Sequence, residues 1–291
     1  MGKTLKSYAQ YRLEENMREY EFYCRKFKRL LLSMFSWENL PDGISERFIE
    51  ESLYETGLII FFKSNKGITK GSFVVTRATP IGYNIYNEPT GYRAYTTGGL
   101  IDQYVKACDC VPIWNDYLRQ GNIYNVNYFA KRISGIERTI DVNSEQLKHP
   151  YIITCPEGQQ ESVKQIMTKV SNGEPYVLVD EDFNTSNKIH VWDLKATNNI
   201  PHLEDTKDKI INDALTFFGI NNVAVSKKER LIVSEAEQNN QQIELNKDIM
   251  LKPRQRAIDL INKKFNQNIT VNVANSLYNE VQLIKGSKGG D

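Results

Sequence analysis

Histidine and cysteine are scarce in this chain, with three His and four Cys among 291 residues. None of them pair at the spacing of a zinc site, and the cysteines show one C-x-C but no C-x-x-C. We therefore expect no metal site, no cofactor and free thiols in a reducing compartment. The residues concerned are His149, His190, His202, Cys24, Cys108, Cys110 and Cys155.

An excess of either charge is also missing. Lys plus Arg number 37 and Asp plus Glu number 36, which gives a net charge of +1. Proteins that bind nucleic acid tightly and without sequence preference are usually strongly basic. The near-neutral balance argues against tight binding of this kind, but it leaves open a light contact through a few placed cations.

Long apolar runs are absent as well. The longest candidate, residues 57–62, is the length of a strand, whereas a membrane helix needs about 20 apolar residues. The N-terminus is charged and lacks the apolar stretch of a secretory signal. These features predict no membrane partner, with synthesis and assembly in the cytoplasm. No Ser/His/Asp set and no paired carboxylates in a known motif can be found, so the sequence predicts no enzyme.

The chain is 40% hydrophobic, which is enough for one large domain or two smaller ones. It also has 16 Tyr and 12 Phe. Tyrosine is typical of interfaces, because its ring buries area while its hydroxyl stays hydrogen-bonded, but a tyrosine-rich core is an equal alternative.

The N-terminal part of the chain shows helical periodicity. Apolar residues three and four apart predict a long helix over residues 7–37, followed by a short helix over 45–56. The basic cluster in the first helix favours a solvated face over a nucleic-acid patch. It consists of Arg25, Lys26, Lys28 and Arg29.

A β-rich region follows, in which Gly, Pro and Asn separate short runs of β-branched and aromatic residues. It predicts a small sheet or barrel with strands at 58–62, 72–76, 82–86 and 92–96. Helical periodicity then returns over 125–147. A small acidic α/β unit comes next, with strands at 151–154, 175–179 and 188–193 and a helix at 160–170.

The last third begins with a helix over 203–218, which Gly219 can cap. Residues 225–246 are polar and weakly patterned, and this predicts a long, mobile loop. Its candidate functional residues are the cations Lys227, Lys228 and Arg230. A helix over 253–265, a strand over 269–273 and a disordered tail over 285–291 complete the expected α+β fold.

Two stretches carry a resemblance to a known family. Residues 35–41 (FSWENLP) and 225–244 (VSKKERLIVSEAEQNNQQIE) resemble the upper collar, or portal, protein of small podophages with protein-primed genomes. Residues 162–165 (SVKQ) and the order of the elements agree with it. The resemblance covers residues 10–275 and is loosest over 64–120.

The resemblance implies a portal fold of the α+β class, with a long-helix stem, a small α/β clip, and a wing of helices and a small β-rich, SH3-like sheet. Carried over by position, residues 1–120 would be the wing, 121–148 and 203–219 the stem helices, and 149–202 the clip. Residues 220–249 would be the tunnel loop, and 250–291 would return to the wing and end in the tail.

The same resemblance implies function and partners. The chain would form a homo-oligomeric ring, a dodecamer, at one capsid vertex of the virion, where double-stranded DNA passes during packaging and ejection. Its other partners would be capsid and scaffold proteins, lower collar and tail proteins, and a separate packaging ATPase. Related connectors contact a packaging RNA through a densely basic N-terminus. Here only Lys3, Lys6 and Arg12 precede the first glutamates, so use of that RNA stays open.

Three alternatives remain from the residues themselves. The first is another ring-forming head–tail adaptor or collar protein. The second is a monomeric nucleic-acid-binding protein that uses the β-rich region as a small barrel, and the third is an enzyme with an unrecognised site. The resemblance implies that Lys227, Lys228 and Arg230 contact DNA in the channel. The alternative is a solvated loop whose lysines contact nothing.

Overall fold

A computed structural model describes residues 8–65, 69–148, 151–154, 190–193, 197–222 and 233–274, with isolated positions between 160 and 168. The chain divides into two compact units. One comprises residues 1–135 and 207–291, and the other comprises residues 136–206. The mixture of helices and antiparallel sheet confirms the α+β class.

Five α-helices have both ends within the described residues. Their bounds are α1 Tyr8–Leu32, α2 Glu46–Thr56, α3 Ile123–Lys148, α4 Ile200–Phe217 and α5 Val233–Phe265. Both α3 and α4 run across the boundary between the two units. The strands are β1 Phe35–Glu38, β2 Leu58–Lys63, β3 Phe73–Tyr83, β4 Pro89–Tyr95, β5 Asp102–Lys106, β6 Cys110–Trp114, β7 Tyr151–Thr154, β8 His190–Asp193 and β9 Thr270–Val273.

A five-stranded antiparallel sheet forms the centre of the larger unit, in the order β5-β4-β3-β2-β6. Strand β2 is buried on both faces. Leu58, Ile60 and Phe62 join the apolar cluster on one face, while Phe61 contacts Phe265 of α5, with ring centroids 5.4 Å apart. Burying each of these side chains contributes about 1.5–3 kcal/mol, so this strand organises the unit.

The sequence placed the end of the first helix too late. Helix α1 ends at Leu32, where the Ser33 hydroxyl donates to the carbonyl oxygen of Arg29 at 3.0 Å. Residues 35–38 instead form β1, which pairs antiparallel with β9 in a two-stranded sheet. Phe35 and Trp37 are buried on alternate positions, and this period of two belongs to a strand.

The break predicted after residue 76 is also wrong. One strand, β3, continues through Pro80 and Gly82 to Tyr83. The pairing of β3 with β2 reaches only Arg77, so Pro80 pairs on one side alone, with β4. A proline is tolerated there because no second strand requires its missing N–H. The sequence also missed β5 and β6.

The largest correction concerns the predicted loop over 225–246, because α5 begins at Val233 and the polar run is helical. Glu, Gln and Lys are good helix formers. The buried residues Ile243, Met250 and Ala257 recur every seven positions, so the segment is amphipathic. Pro253, taken as the start of the helix, lies inside it.

Other predictions are confirmed. Helices α2 and α3 and the C-terminal part of α4 lie where periodicity placed them. Gly219, at φ 69°, follows α4, and the Ile220 amide donates to the Leu215 carbonyl oxygen at 2.8 Å, the pattern of a Schellman cap. In the smaller unit β7 and β8 pair antiparallel. The predicted strand at 175–179 and tail at 285–291 lie outside the described residues.

Candidate channel segment and subunit surfaces

The three cations singled out in the sequence, Lys227, Lys228 and Arg230, lie outside the described residues. The structure does describe both flanks of their segment. Asn222 ends the described stretch before it, and α5 begins at Val233 after it. A DNA-contacting role for these cations therefore depends on how firmly the flanks are held.

An amide network ties the two flanks together. The side chain of Asn239 in α5 donates to the Asn222 side-chain oxygen at 2.9 Å. Asn222 in turn donates to the Asn212 carbonyl oxygen and to the Thr216 hydroxyl, at 2.9 and 2.8 Å. Asn246 donates to the Thr216 carbonyl oxygen at 2.8 Å. Both ends of the cation-bearing segment are thus fixed to α4.

Close backbone contact reinforces this junction. A Cβ atom added to Gly219 would overlap the backbone of Lys247 in α5. Gly219 also has a positive φ, which disfavours any other residue. Glycine is needed here for two reasons, and the predicted capping role accounts only for the positive φ, not for the close approach of Lys247.

A buried ion pair anchors the second half of α5. The Arg254 guanidinium donates to both carboxylate oxygens of Glu50, at 3.1 and 2.9 Å. It also donates to the carbonyl oxygens of Asn115 and Met250, each at 2.8 Å. The Trp37 indole N–H completes the set by donating to Glu50 at 2.8 Å.

The Arg254 and Glu50 side chains are only 2% and 3% exposed. Arg254 stacks on the Phe35 ring, with its guanidinium carbon 4.5 Å from the ring centroid. Charges this deeply buried persist only when they are paired and fully hydrogen-bonded. Neither residue was singled out in the sequence. The only signal was an arginine on the apolar stripe of α5, one turn after Met250.

The basic cluster of α1 is divided between two environments. Lys28 points to α2, where it donates to Glu51 at 2.8 Å and to Glu55 at 3.3 Å. Arg77 of β3 also binds Glu55, at 2.6 Å. Arg25 is exposed. Its guanidinium lies 3.7 Å from the Glu21 carboxylate, and its Nε donates to the Glu21 carbonyl oxygen at 3.3 Å. The cluster includes structural and solvated cations, which agrees with a solvated face.

The Lys28 pairing changes the ionisation of its partners. Hydrogen bonding from Lys28 lowers the pKa of Glu51. Burial acts to lower the pKa of Lys28, but its hydrogen bonds to the two glutamates outweigh this effect and raise it. Both groups are therefore held in their charged forms at neutral pH.

The turn between β3 and β4 presents two apolar side chains to solvent. The Asn84 side chain accepts hydrogen bonds from the Tyr86 and Glu88 amides, at 2.9 and 3.0 Å. This arrangement fixes the turn. Ile85 and Tyr86 at its tip are 90% and 78% exposed, which is unusual for residues of this size in an ordered turn.

Exposed aromatic side chains also lie on two helices of the larger unit. Tyr124 and Tyr128 lie on α3, and Phe217 lies on α4. Phe129 lies between the two helices, with its ring 5.6 Å from that of Phe217 and 5.8 Å from that of Phe218. The aromatic core of this junction thus continues to the surface.

The described part of the chain contains no group of three or more His, Cys, Asp or Glu residues that could hold a metal ion. It also contains no helix that is both long and apolar enough to cross a bilayer. Burial raises the pKa of the Cys110 thiol to about 12, so this cysteine is neutral at physiological pH.

Comparison with known proteins identifies the family. The family model described as Phage Connector (GP10) matches residues 4–278. The portal protein of Staphylococcus phage 44AHJD is 30% identical over 112 residues, which are 38% of this chain. The alignment spans 44% of that relative, less than half of its length.

A solved structure shows a similar fold. A chain in the structure of the portal and tail of native bacteriophage P68 matches with a TM-score of 0.51 and 15% identity, over 100% of both chains. An HK97-family portal protein from Corynebacterium diphtheriae matches with a TM-score of 0.44 and 8% identity, over 94% of this chain and 96% of that one. With the family model covering nearly its whole length, the chain belongs to the phage connector family.

Proposed function

We propose that this protein is a portal subunit, a structural and non-enzymatic component of the phage head–tail junction. The observation that carries the proposal is the match to the connector family over residues 4–278. The subunit assembles into a ring, a dodecamer, through which double-stranded DNA enters during packaging and leaves during ejection. The ring is assembled in the host cytoplasm and also serves as the attachment point for the tail.

The domain roles follow by position in the chain. The larger unit supplies the wing, which meets capsid and scaffold proteins, and α3 and α4 supply the stem. Residues 149–202 form the clip, which meets lower collar and tail proteins and the packaging ATPase. A packaging RNA is a further candidate partner, although the N-terminus carries few cations.

Particle size in solution tests the assembly. A ring gives a species on the order of ten times the 33.6 kDa monomer, visible by electron microscopy as an annulus with an open centre. A purely monomeric species at all concentrations would contradict the proposal and favour a small nucleic-acid-binding protein. Location in the virion separates a portal from another head–tail adaptor, because only the portal lies at the capsid vertex itself.

Lys227, Lys228 and Arg230 are proposed as the cations that meet DNA in the channel. Three arguments support this role. Their segment joins two flanks that the amide network fixes to α4, it carries a local positive charge, and a ring repeats that charge in every subunit. Phosphate contacts add affinity through counterion release, so a few cations per subunit give a contact weak enough to permit sliding.

The test is the double variant Lys227→Ala with Lys228→Ala. Rings should form and DNA should enter at near-normal rates, but packaged DNA should escape from filled heads. Protected DNA length in particles over time measures this loss. The matched control is Arg25→Ala with Lys26→Ala, which removes the same charge from the exposed face of α1. Full genome retention by the first variant would contradict the DNA contact and would mean that the lysines are only solvated.

A further inference from the structure

One face of α3 is exposed, although it carries two tyrosines. Tyr124, Tyr128 and Gly135 lie on it at helical spacing, and Tyr128 is 58% exposed. Lys131 and Arg132 lie on the same face and are the only charged residues between positions 123 and 135. The buried residues Val126 and Ile133 lie on the opposite face. This stretch of α3 thus presents an aromatic surface with purely positive charge.

The arginine on this face is held in a defined position. Its guanidinium carbon lies 5.5 Å from the centroid of the Tyr128 ring, and its Nη1 is 3.5 Å from the Tyr128 hydroxyl oxygen. An arginine stacked in this way has lost part of its rotamer freedom before any partner arrives. Arg132 and Tyr128 therefore form a preorganised pair one helical turn apart.

Helix α4 presents the opposite charge with the same spacing. Asp213 is exposed and is the only charged residue between positions 210 and 217. One turn later, Phe217 is 49% exposed, and its ring is held against Phe218 with centroids 5.4 Å apart. An acid and an aromatic ring four residues apart thus mirror the arginine and tyrosine of α3.

These charges form no ion pair with one another or with other residues that the structure describes. Among the ion pairs of the described residues, none involves Lys131, Arg132 or Asp213. A Cβ atom added to Gly135 would meet nothing within 4 Å, so the described residues leave open space beside this position. Glycine inside a helix is less favourable than alanine, but it allows a second helix to approach closely from outside.

We infer that the α3 face binds the α4 face of a second copy of this chain, with Arg132 against Asp213 and Tyr128 against Phe217. Each copy carries both faces, and the two faces differ. Contacts of this kind are heterologous, so they propagate from subunit to subunit, and they form a ring when the rotation between neighbouring copies closes. The inference rests on the proposed ring function and names residues that hold the ring together.

Charge exchange tests the contact. Arg132→Glu should place like charges together at every interface, and Asp213→Arg should do the same. Each single variant should raise the concentration at which rings dissociate by at least about tenfold. Combining them in one chain restores an opposite pair at every interface, so the combined variant should return to within about threefold of the wild type. Ring dissociation can be followed by sedimentation velocity or mass photometry.

Gly135→Leu gives a second test, in which stability and assembly change in opposite directions. The space beside Gly135 is open in the subunit, and leucine is a better helix former. The subunit should therefore melt at the same or a higher temperature, while rings dissociate more readily. A variant that assembles like the wild type would overturn the role of this face.

Arg25→Glu is the control, because Arg25 is an exposed cation on another helix and should not affect assembly. Two results would overturn the contact: single charge variants that assemble like the wild type, or a combined variant no better than the worse single one. Either result would leave wild-type rings, and therefore the portal function, intact. Absence of rings in the wild type would instead remove the proposed function, and this contact with it.

Discussion

Arg254 and Glu50 form a bidentate ion pair across 204 residues of chain, with hydrogen bonds of 3.1 and 2.9 Å. Helix α5 is thereby joined to α2, and through the Asn115 carbonyl oxygen to the end of β6. The pair lies in the larger unit and connects elements from the first and last parts of the chain. It fixes the helix whose N-terminal end follows the proposed channel segment.

Replacing Arg254 with methionine should destabilise the protein by about 3–5 kcal/mol, because it leaves the Glu50 carboxylate buried without its cation. Urea unfolding at a fixed protein concentration measures the change. Arg93→Met is the matched control, since Arg93 pairs with Asp102 at the surface and the loss there should be small. An Arg254 variant as stable as this control would contradict the assigned role.

Gly57→Ala should be more damaging than Gly43→Ala. Both glycines have a positive φ, of 76° and 84°, so alanine at either position costs about 1–2 kcal/mol in backbone strain. A Cβ atom at Gly57 would also lie 2.5 Å from the Gln120 carbonyl carbon, whereas nothing lies within 4 Å at Gly43. Thermal melting of both variants checks the order, and equal losses would mean that the backbone at residue 120 yields easily.

The Lys28–Glu51 pair should make stability depend on pH at the acid end. The pKa of Glu51 in the folded protein lies below its ordinary value of 4.5, so the unfolded chain binds more protons as the pH falls. The contribution of this pair is complete above that value and is lost as the pH falls through the folded pKa. Glu51→Gln and Lys28→Met should both flatten the acid limb of a stability–pH curve. Acid limbs parallel to the wild type in both variants would contradict the pairing.

Alkylation should distinguish the two cysteines around residue 109. Cys108 is exposed, whereas Cys110 is buried and its pKa is raised to about 12. Only a thiolate reacts readily. Iodoacetamide at pH 8 should therefore modify Cys108 first and leave Cys110 until the protein unfolds. Peptide mass spectrometry gives the order, and equal rates at the two positions would show that the β6 region opens easily.

Periodicity predicted the elements that have one strong pattern. The apolar spacing of α3 and the continuous apolar run of β2 each allow one interpretation, and both elements lie where expected. The prediction for the start of α5 was wrong because Glu, Gln and Asn are compatible with both a loop and a helix. Only the packing of Ile243 and Met250 decides between the two. The prediction for residues 35–38 was wrong for a similar reason. These residues form strand β1 by pairing with β9, which lies more than 200 residues away in the chain.

Some of the candidate functional residues could be found from the sequence, and others only from the structure. Lys227, Lys228 and Arg230 were found through composition and family resemblance, and they remain proposals because they lie outside the described residues. Arg132, Asp213 and Phe217 gave no signal in the sequence, because exposure becomes visible only when the burial of their neighbours is known. Arg254 gave only a weak signal, since most arginines on a helix face solvent.

The amino-acid sequence by itself determined the α+β class, the order of most elements and the family resemblance. These depend on local periodicity and on motifs a few residues long, which no distant contact can change. Tertiary structure alone decided which charges are buried, which glycines separate two backbones and which apolar faces remain exposed. Those properties arise when distant segments exclude water together, as when α5 brings Arg254 to Glu50, and no local pattern records them.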